Sequence, residues 1–256
     1  MKTSLPTARS LSIAGLALLA LCCSVLFGTS QLHGADAAEA AGSTTAEQMM
    51  IRAHQSRASW DGIVGFSADV LVSNNGEQVE GTVTIRTDGE IDLILPEDFP
   101  SDWVNTKLAS LVQHRQAPRE NFDVSFADEV KNHPLGRLIK FNDDPAMGSH
   151  YRIDGDVITE VHRNMGKTRF TISVTDVTRN AEGKYLPKSY SLSFWNAESG
   201  ELASTMNVHD DWITVEGQDL PARLLSIESD NEGGRDVREI RFRNHRLLPV
   251  EQTAGR

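Results

Sequence analysis

The chain has 256 residues, with 36 acidic against 25 basic side chains and a formal net charge of −11. Such a surface disfavours nucleic acid and anionic lipid headgroups as partners. The two cysteines, Cys22 and Cys23, stand near the N-terminus, so the rest of the chain has no disulfide, thiol nucleophile or cysteine-based zinc site.

Lys2 and Arg9 precede an apolar run from Leu11 to Gly28, and Ala35-Asp36-Ala37 offers the small-x-small pattern that a signal peptidase accepts. The expectation is a Sec-type signal peptide over 1–37. It implies a periplasmic or secreted protein with no membrane span after cleavage. Two rivals stand beside it. The apolar run, roughly 17 residues, reaches the short limit for an uncleaved inner-membrane anchor. A lipoprotein signal at Cys22 or Cys23 is the other, although Leu21 and Cys22 occupy the place where that peptidase wants a small residue. Cleavage leaves about 219 residues, enough for one β-rich domain held by its core alone. The expected layout is a disordered spacer over 38–44, one domain over 45–249 and a disordered tail over 250–256.

Thr45-Ala46-Glu47-Gln48 is a capping box. Ala46, Met49, Met50, Ala53 and Trp60 follow at helical spacing, which predicts a helix to about Ser59, its methionines in the core. "GFSADVLVSNNGEQVEGTVTIRTDGEIDLIL" then reads as a three-stranded meander. Asn75-Gly76 suits a two-residue hairpin turn and sets Val72 opposite Val79, Val70 opposite Gly81, Ala68 opposite Val83 and Phe66 opposite Ile85. The second turn, Thr87-Asp88-Gly89, sets Ile85 against Ile91 and Val83 against Leu93. Gly81 inside this sheet leaves a hollow or admits a close backbone.

Ser101 can cap a second helix whose apolar stripe is Val104, Leu108, Leu111 and Val112, closed off by Pro118. It is expected to lie across the apolar face of the sheet. "NFDVSF", "GRLIKFN" and "SHYRI" are short strand candidates. Val157 to Val161 and Thr168 to Val174 alternate as a hairpin. A loop centred on Met165-Gly166 places Val161 opposite Phe170 and Val157 opposite Val174. Further strands are "KSYSLSFW", with Tyr190, Leu192 and Phe194 inward, then "ELASTMNVH", "WITV", "PARLLSIES" and "VREIRFRN". In the last of these Arg241 and Arg243 form a solvated face opposite Ile240 and Phe242. The fold class is mostly β (α+β): one curved antiparallel sheet, a half-barrel of about ten or eleven strands, with two covering helices.

Chemistry-bearing motifs are scarce. Gly166-Lys167-Thr168 copies the end of a P-loop, but the first glycine of that motif falls on Val161, and a strand follows where a helix is required. No Gly-x-Ser-x-Gly nucleophile elbow occurs. His209-Asp210-Asp211 is the best metal candidate, yet two ligands on one strand face are too few, so neither metal nor cofactor is expected. "NDDPAMG" lacks the spacing of a calcium loop. His162 belongs to a polar strand face.

"SRASWDGIVGFSADVLV", "GTVTIRTDGEI" and "GDVITEVHRNMGKTRFTISVTDV" together resemble the bacterial domain-of-unknown-function family 3386 over most of Ala46 to Leu248. The matching motifs are strand and turn residues, so the resemblance carries over no catalytic or binding residue. More loosely, the order helix, meander, helix, long sheet looks like the lipoprotein-carrier (LolA/LolB-like) fold, and "VEGQDLP" is similar to a late strand-turn-strand of such carriers. That resemblance implies a half-barrel with an apolar hollow under helices.

Three functions stay open. The first is a non-enzymatic exported protein binding a lipid or other apolar small molecule, its hollow lined by Val70, Gly81, Val83, Phe170, Ile172 and Tyr190. The second is a packed structural or interaction module with an unidentified protein partner. The third is an enzyme with an unfamiliar site near His209 and Asp211.

Overall fold

A computed structural model describes residues 44–60, 62–117, 121–129, 132–142 and 148–249. The expected signal peptide, the spacer up to Ser43, the tail and most of "NDDPAMG" lie outside these residues.

The first helix, α1 (Ala46–Gln55), starts on the expected capping box: the Gln48 amide donates to Thr45 Oγ1 at 3.1 Å, and the Thr45 amide to Gln48 Oε1 at 3.0 Å. It ends at Gln55, short of the expected Ser59. The backbone of 56–58 is diverted there into bonds with Tyr185, whose amide donates to the Ser56 carbonyl while its own carbonyl accepts from Ala58. Long-range pairing outweighs helical propensity at that point.

The meander follows the expected registers. β1 (Phe66–Asn74) pairs with β2 (Glu77–Ile85) through Val72–Val79, Val70–Gly81, Ala68–Val83 and Phe66–Ile85, and β2 pairs with β3 (Ile91–Ile94) through Ile85–Ile91 and Val83–Leu93. Asn75 and Gly76 both take positive φ, 52° and 92°, as the mirror-image turn requires.

Helix α2 (Asp102–Gln113) follows, with Val104, Leu108 and Leu111 buried. Ser101 makes no side-chain cap, because its own backbone is already in the helical region (φ −90°, ψ −8°) and not the extended one a cap residue adopts. The remaining strands are β4 (Val124–Phe126), β5 (Arg137–Phe141), β6 (His150–Asp154), β7 (Val157–Met165), β8 (Thr168–Arg179), β9 (Tyr185–Asn196), β10 (Leu202–Val215), β11 (Gln218–Asp230) and β12 (Arg235–Leu247).

Among the described residues twelve strands form one open antiparallel sheet in the order β3-β2-β1-β12-β11-β10-β9-β8-β7-β6-β5-β4, which slightly exceeds the expected strand count. β4 to β12 are a plain up-and-down meander, and the first three strands attach to its far side through β1 and β12. The chain between β3 and β4, which includes α2, therefore connects the two edges. "ELASTMNVH" and "WITV" are one strand, β10, because His209-Asp210-Asp211 continues the ladder instead of ending it. Met165 faces Thr168 across a Gly166-Lys167 loop, so Val161 faces Ile172 and not Phe170. Gly166, at φ 65°, thus takes the first place of a two-residue turn, and a two-residue shift keeps each side chain on its expected face.

Register places one continuous face under both helices. It runs from Val72 to Ile240 and Leu224, from Val208 to Tyr190 and Val174, and from Ile172 to Val161, Tyr151 and Ile139. Val104, Leu108 and Leu111 of α2 pack on Phe66, Val70, Val83, Ile85, Ile240 and Phe242. Met50 and Ala53 of α1 pack on Ile139, Tyr151, Ile153 and Ile158. Two clusters thus share one sheet face.

Candidate functional site

Between the two clusters the helix-covered face carries a polar group of three. Lys107, projecting from α2, donates to Tyr190 OH on β9 at 3.2 Å and approaches Asp210 Oδ1 on β10 at 3.4 Å; Tyr190 OH donates to the other Asp210 oxygen at 3.2 Å. The Lys107 and Asp210 side chains keep only 22% and 7% exposure. Burial alone would lower the Lys107 pKa, but Tyr190 and Asp210 offset it and hold the ammonium above its ordinary value. Burial pushes the Tyr190 phenol up, against the pull of Lys107. Lysine stays charged and tyrosine neutral, so the triad clamps α2 to the sheet.

On one side of this clamp lies an apolar band. Phe170 stacks at a tilt on Phe194, ring centroids 6.0 Å apart, and Ile172 faces Leu192, which faces Met206. Phe170, Leu192 and Val208 are buried there but belong to neither cluster, while Ile172, Phe194 and Met206 are half-buried.

On the other side, at the C-terminal end of α2, is a cleft of about 320 Å3. Its apolar walls are Trp60, Ile63, Phe66, Ile85 and Val112, and its polar lining includes Arg115. Three local structures build it. The β2–β3 turn is closed by Arg86 and Glu90, and the Glu90 amide donates to Asp88 Oδ1 at 3.0 Å. The α1–β1 loop is tied down by Trp60, whose amide donates to the Arg115 carbonyl and whose indole N–H donates to the Asp219 carbonyl at 2.9 Å. The turn that follows α2 then carries Arg115 inward. Arg115 is only 4% exposed, donates through Nη1 to the Ala58 carbonyl at 2.9 Å, and lies over the Trp212 ring at 4.6 Å. Its Nε is buried without a hydrogen-bond partner. Burial, and after it the charge of Arg57, lower its pKa to about 10, so it remains a cation at neutral pH.

A family model described as "Protein of unknown function (DUF3386)" matches residues 41–248. The chain belongs to this family. Among curated proteins no sequence matches it. Among solved structures it is similar to a LolA superfamily protein, NE2245, from Nitrosomonas europaea. That match has 14% identity and a TM-score of 0.32, and covers 81% of this chain and 96% of the other. It is also similar to MucB, solved in complex with MucA(peri), at 10% identity and a TM-score of 0.19, covering 78% of this chain and 98% of the other.

In this DUF3386 chain the six residues read from sequence as a ligand lining stand on one sheet face but in four different settings. Val70 and Val83 are buried in the α2 cluster. Gly81 admits a close backbone: a Cβ there would sit 2.2 Å from the Ile94 carbonyl oxygen and 2.5 Å from Leu95 Cδ2. Phe170 and Ile172 belong to the apolar band, and Tyr190 to the clamp. The cleft is lined by none of the six. Arg115 carries no signal in the sequence because an arginine in the last turn of an expected helix reads as solvated; only its helical spacing from Leu111 and Val112 hints otherwise.

His209 and Asp211 occupy the opposite face. Ser189 Oγ and His209 Nδ1 are 2.9 Å apart, and His209 Nε2 and Asp211 Oδ1 3.1 Å, with the other Asp211 oxygen 3.6 Å from Arg223. This Ser–His–Asp line is more than a third exposed at His209 and Asp211 and lines neither the α2 cleft nor the shallower depression beside β6 and β7. Among the described residues no group of three or more His, Cys, Asp or Glu could hold a metal. Among the same residues no helix is long and apolar enough to cross a membrane.

Proposed function

We propose that this chain is an exported, non-enzymatic binding protein that takes a small apolar ligand in the cleft at the end of α2. The observation that carries the reading is the cleft itself: about 320 Å3, with apolar walls contributed by the α1–β1 loop, a helix end and the sheet, and a polar rim from the β2–β3 turn. That volume lies at the lower end of ligand pockets, roughly 300–1,000 Å3. The signal-like N-terminus and the confinement of both cysteines to it support export.

A second reading, the packed structural module, draws support from Gly81, whose side-chain space is taken by β3 and the residue after it. It accounts for the sheet beneath α2 but leaves the cleft unexplained. Binding of the uncharged fluorophore Nile red tests both. The wild type should bind, Val112→Phe should weaken binding at least about tenfold by filling the cleft, and Ile172→Glu in the apolar band should leave it unchanged. Loss in Ile172→Glu alone would move the site to the lining that contains Phe170, Ile172 and Tyr190. No binding in the wild type would decide for the packed module.

A further inference from the structure

We infer that the ligand of this cleft carries an anionic head on a single apolar chain, and that Arg115 seats that head. The inference rests on reading the cleft as a ligand site and adds the chemical class of its occupant.

The chain has more carboxylates than cations, and its other well-buried arginines use them. Arg137 meets Asp128 at 3.0 Å, and Arg152 meets Glu160 at 3.2 Å. Arg115 is more buried than either and forms no ion pair among the described residues. What it has is one carbonyl on Nη1 and the face of Trp212. This leaves the Nε–Nη2 edge, the fork with which a guanidinium takes a carboxylate or phosphate through two parallel bonds. Nε on that edge is buried and unpartnered. The charge of Asp210 reaches Arg115 through space, but that carboxylate is bonded to Lys107 and Tyr190. Buried charges are paired in folded proteins because desolvation is costly, so a cation with no contact anion among the described residues, at the lining of a cleft, marks where one binds.

A second cation, Arg57, adjoins Ala58, the acceptor of the Arg115 bond, and its charge is felt at Arg115. The rest of the ligand is set by the apolar walls Trp60, Ile63, Phe66, Ile85 and Val112; of the other charged groups in the lining, Arg86 is paired with Glu90 and Asp88 accepts from the Glu90 amide. The small volume suits one medium-length chain and excludes the body of a two-chain lipid.

The test is calorimetric titration of the purified protein with decanoate, decyl phosphate and decanol. Decanoate or decyl phosphate should bind at least about tenfold more tightly than decanol, and the tighter of the two names the head group. Decanol binding as tightly as both anions overturns the anion seat while leaving the apolar cleft standing. If none of the three binds, the cleft reading fails and the anion seat with it. In Arg115→Met the anions should fall to the affinity of decanol, while decanol changes less than about threefold. The wild-type comparison needs no variant, so it decides even if Arg115→Met does not fold. Val112→Phe should weaken all three; a variant that still discriminates and binds as the wild type does would place the anion elsewhere.

Discussion

The two helix-covered halves of the sheet meet the same requirement in different ways. Under α1 the contact is apolar on the helix side, Met50 and Ala53 against Ile139, Tyr151, Ile153 and Ile158, and the nearby charges satisfy one another. Asp128 accepts from Arg137 Nε at 3.0 Å and from the Leu138 amide at 2.8 Å, and Arg152 bonds to Glu160. Under α2 the core is larger, yet the helix and the turn that follows it send two cations, Lys107 and Arg115, toward the sheet. Lys107 finds Asp210 and Tyr190, whereas Arg115 feels the charge of Asp210 but forms no ion pair among the described residues. A buried charge with no contact partner is costly to keep, and this contrast is what the proposed anion seat in the α2 half would account for.

The largest expected effects compare the two cores directly. Leu108→Ala and Met50→Ala each remove a fully buried side chain and should cost about 2–5 kcal/mol in urea unfolding. Leu108→Ala should cost more, as it opens the larger cluster. The reverse order would make the α1 half the main core.

Next comes the ion network on the α1 side. Asp128→Asn should cost about 3 kcal/mol at neutral pH, because it leaves Arg137 without its charged partner. Burial alone would raise the Asp128 pKa, but the Leu138 amide, Arg137 and Arg152 hold it below its ordinary value. A depressed folded-state pKa means stability that is present above the unfolded value, near 4, and lost as pH falls through the folded one. The melting temperature of the wild type should therefore drop below about pH 4 more steeply than that of Asp128→Asn. Parallel pH profiles would break the account.

Gly81→Leu should follow, at about 1–3 kcal/mol, by forcing Ile94 and Leu95 away from β2. Fluorophore binding in the cleft should survive that change. The smallest effects belong to the β7–β8 turn. Gly166→Val should cost about 1 kcal/mol from its positive φ alone, since nothing lies within 4 Å of a Cβ there. Lys167→Ala should stay within about 0.5 kcal/mol as an exposed change. ATP binding that depends on Lys167 would overturn the reading of this segment as a plain turn.

Amino-acid order alone was enough for whatever is decided between near neighbours. Asn75-Gly76 and Thr87-Asp88-Gly89, with strict alternation on either side, specified two hairpins residue by residue. Thr45 to Gln48 specified a helix start. The same alternation put Val70, Gly81, Val83, Phe170, Ile172 and Tyr190 on one face, since a period of two needs no tertiary information. Packing between distant segments decided the rest. β12 lies between β1 and β11 because Ile240 and Phe242 meet Val72 and Val70, residues more than 160 positions away. Tyr185 stops α1 by taking its last backbone groups, which no pattern within α1 announces. Arg115 becomes a buried cation only when Trp60, Ala58 and Trp212 close around it, because burial belongs to the assembled neighbourhood and not to a residue's place in the chain.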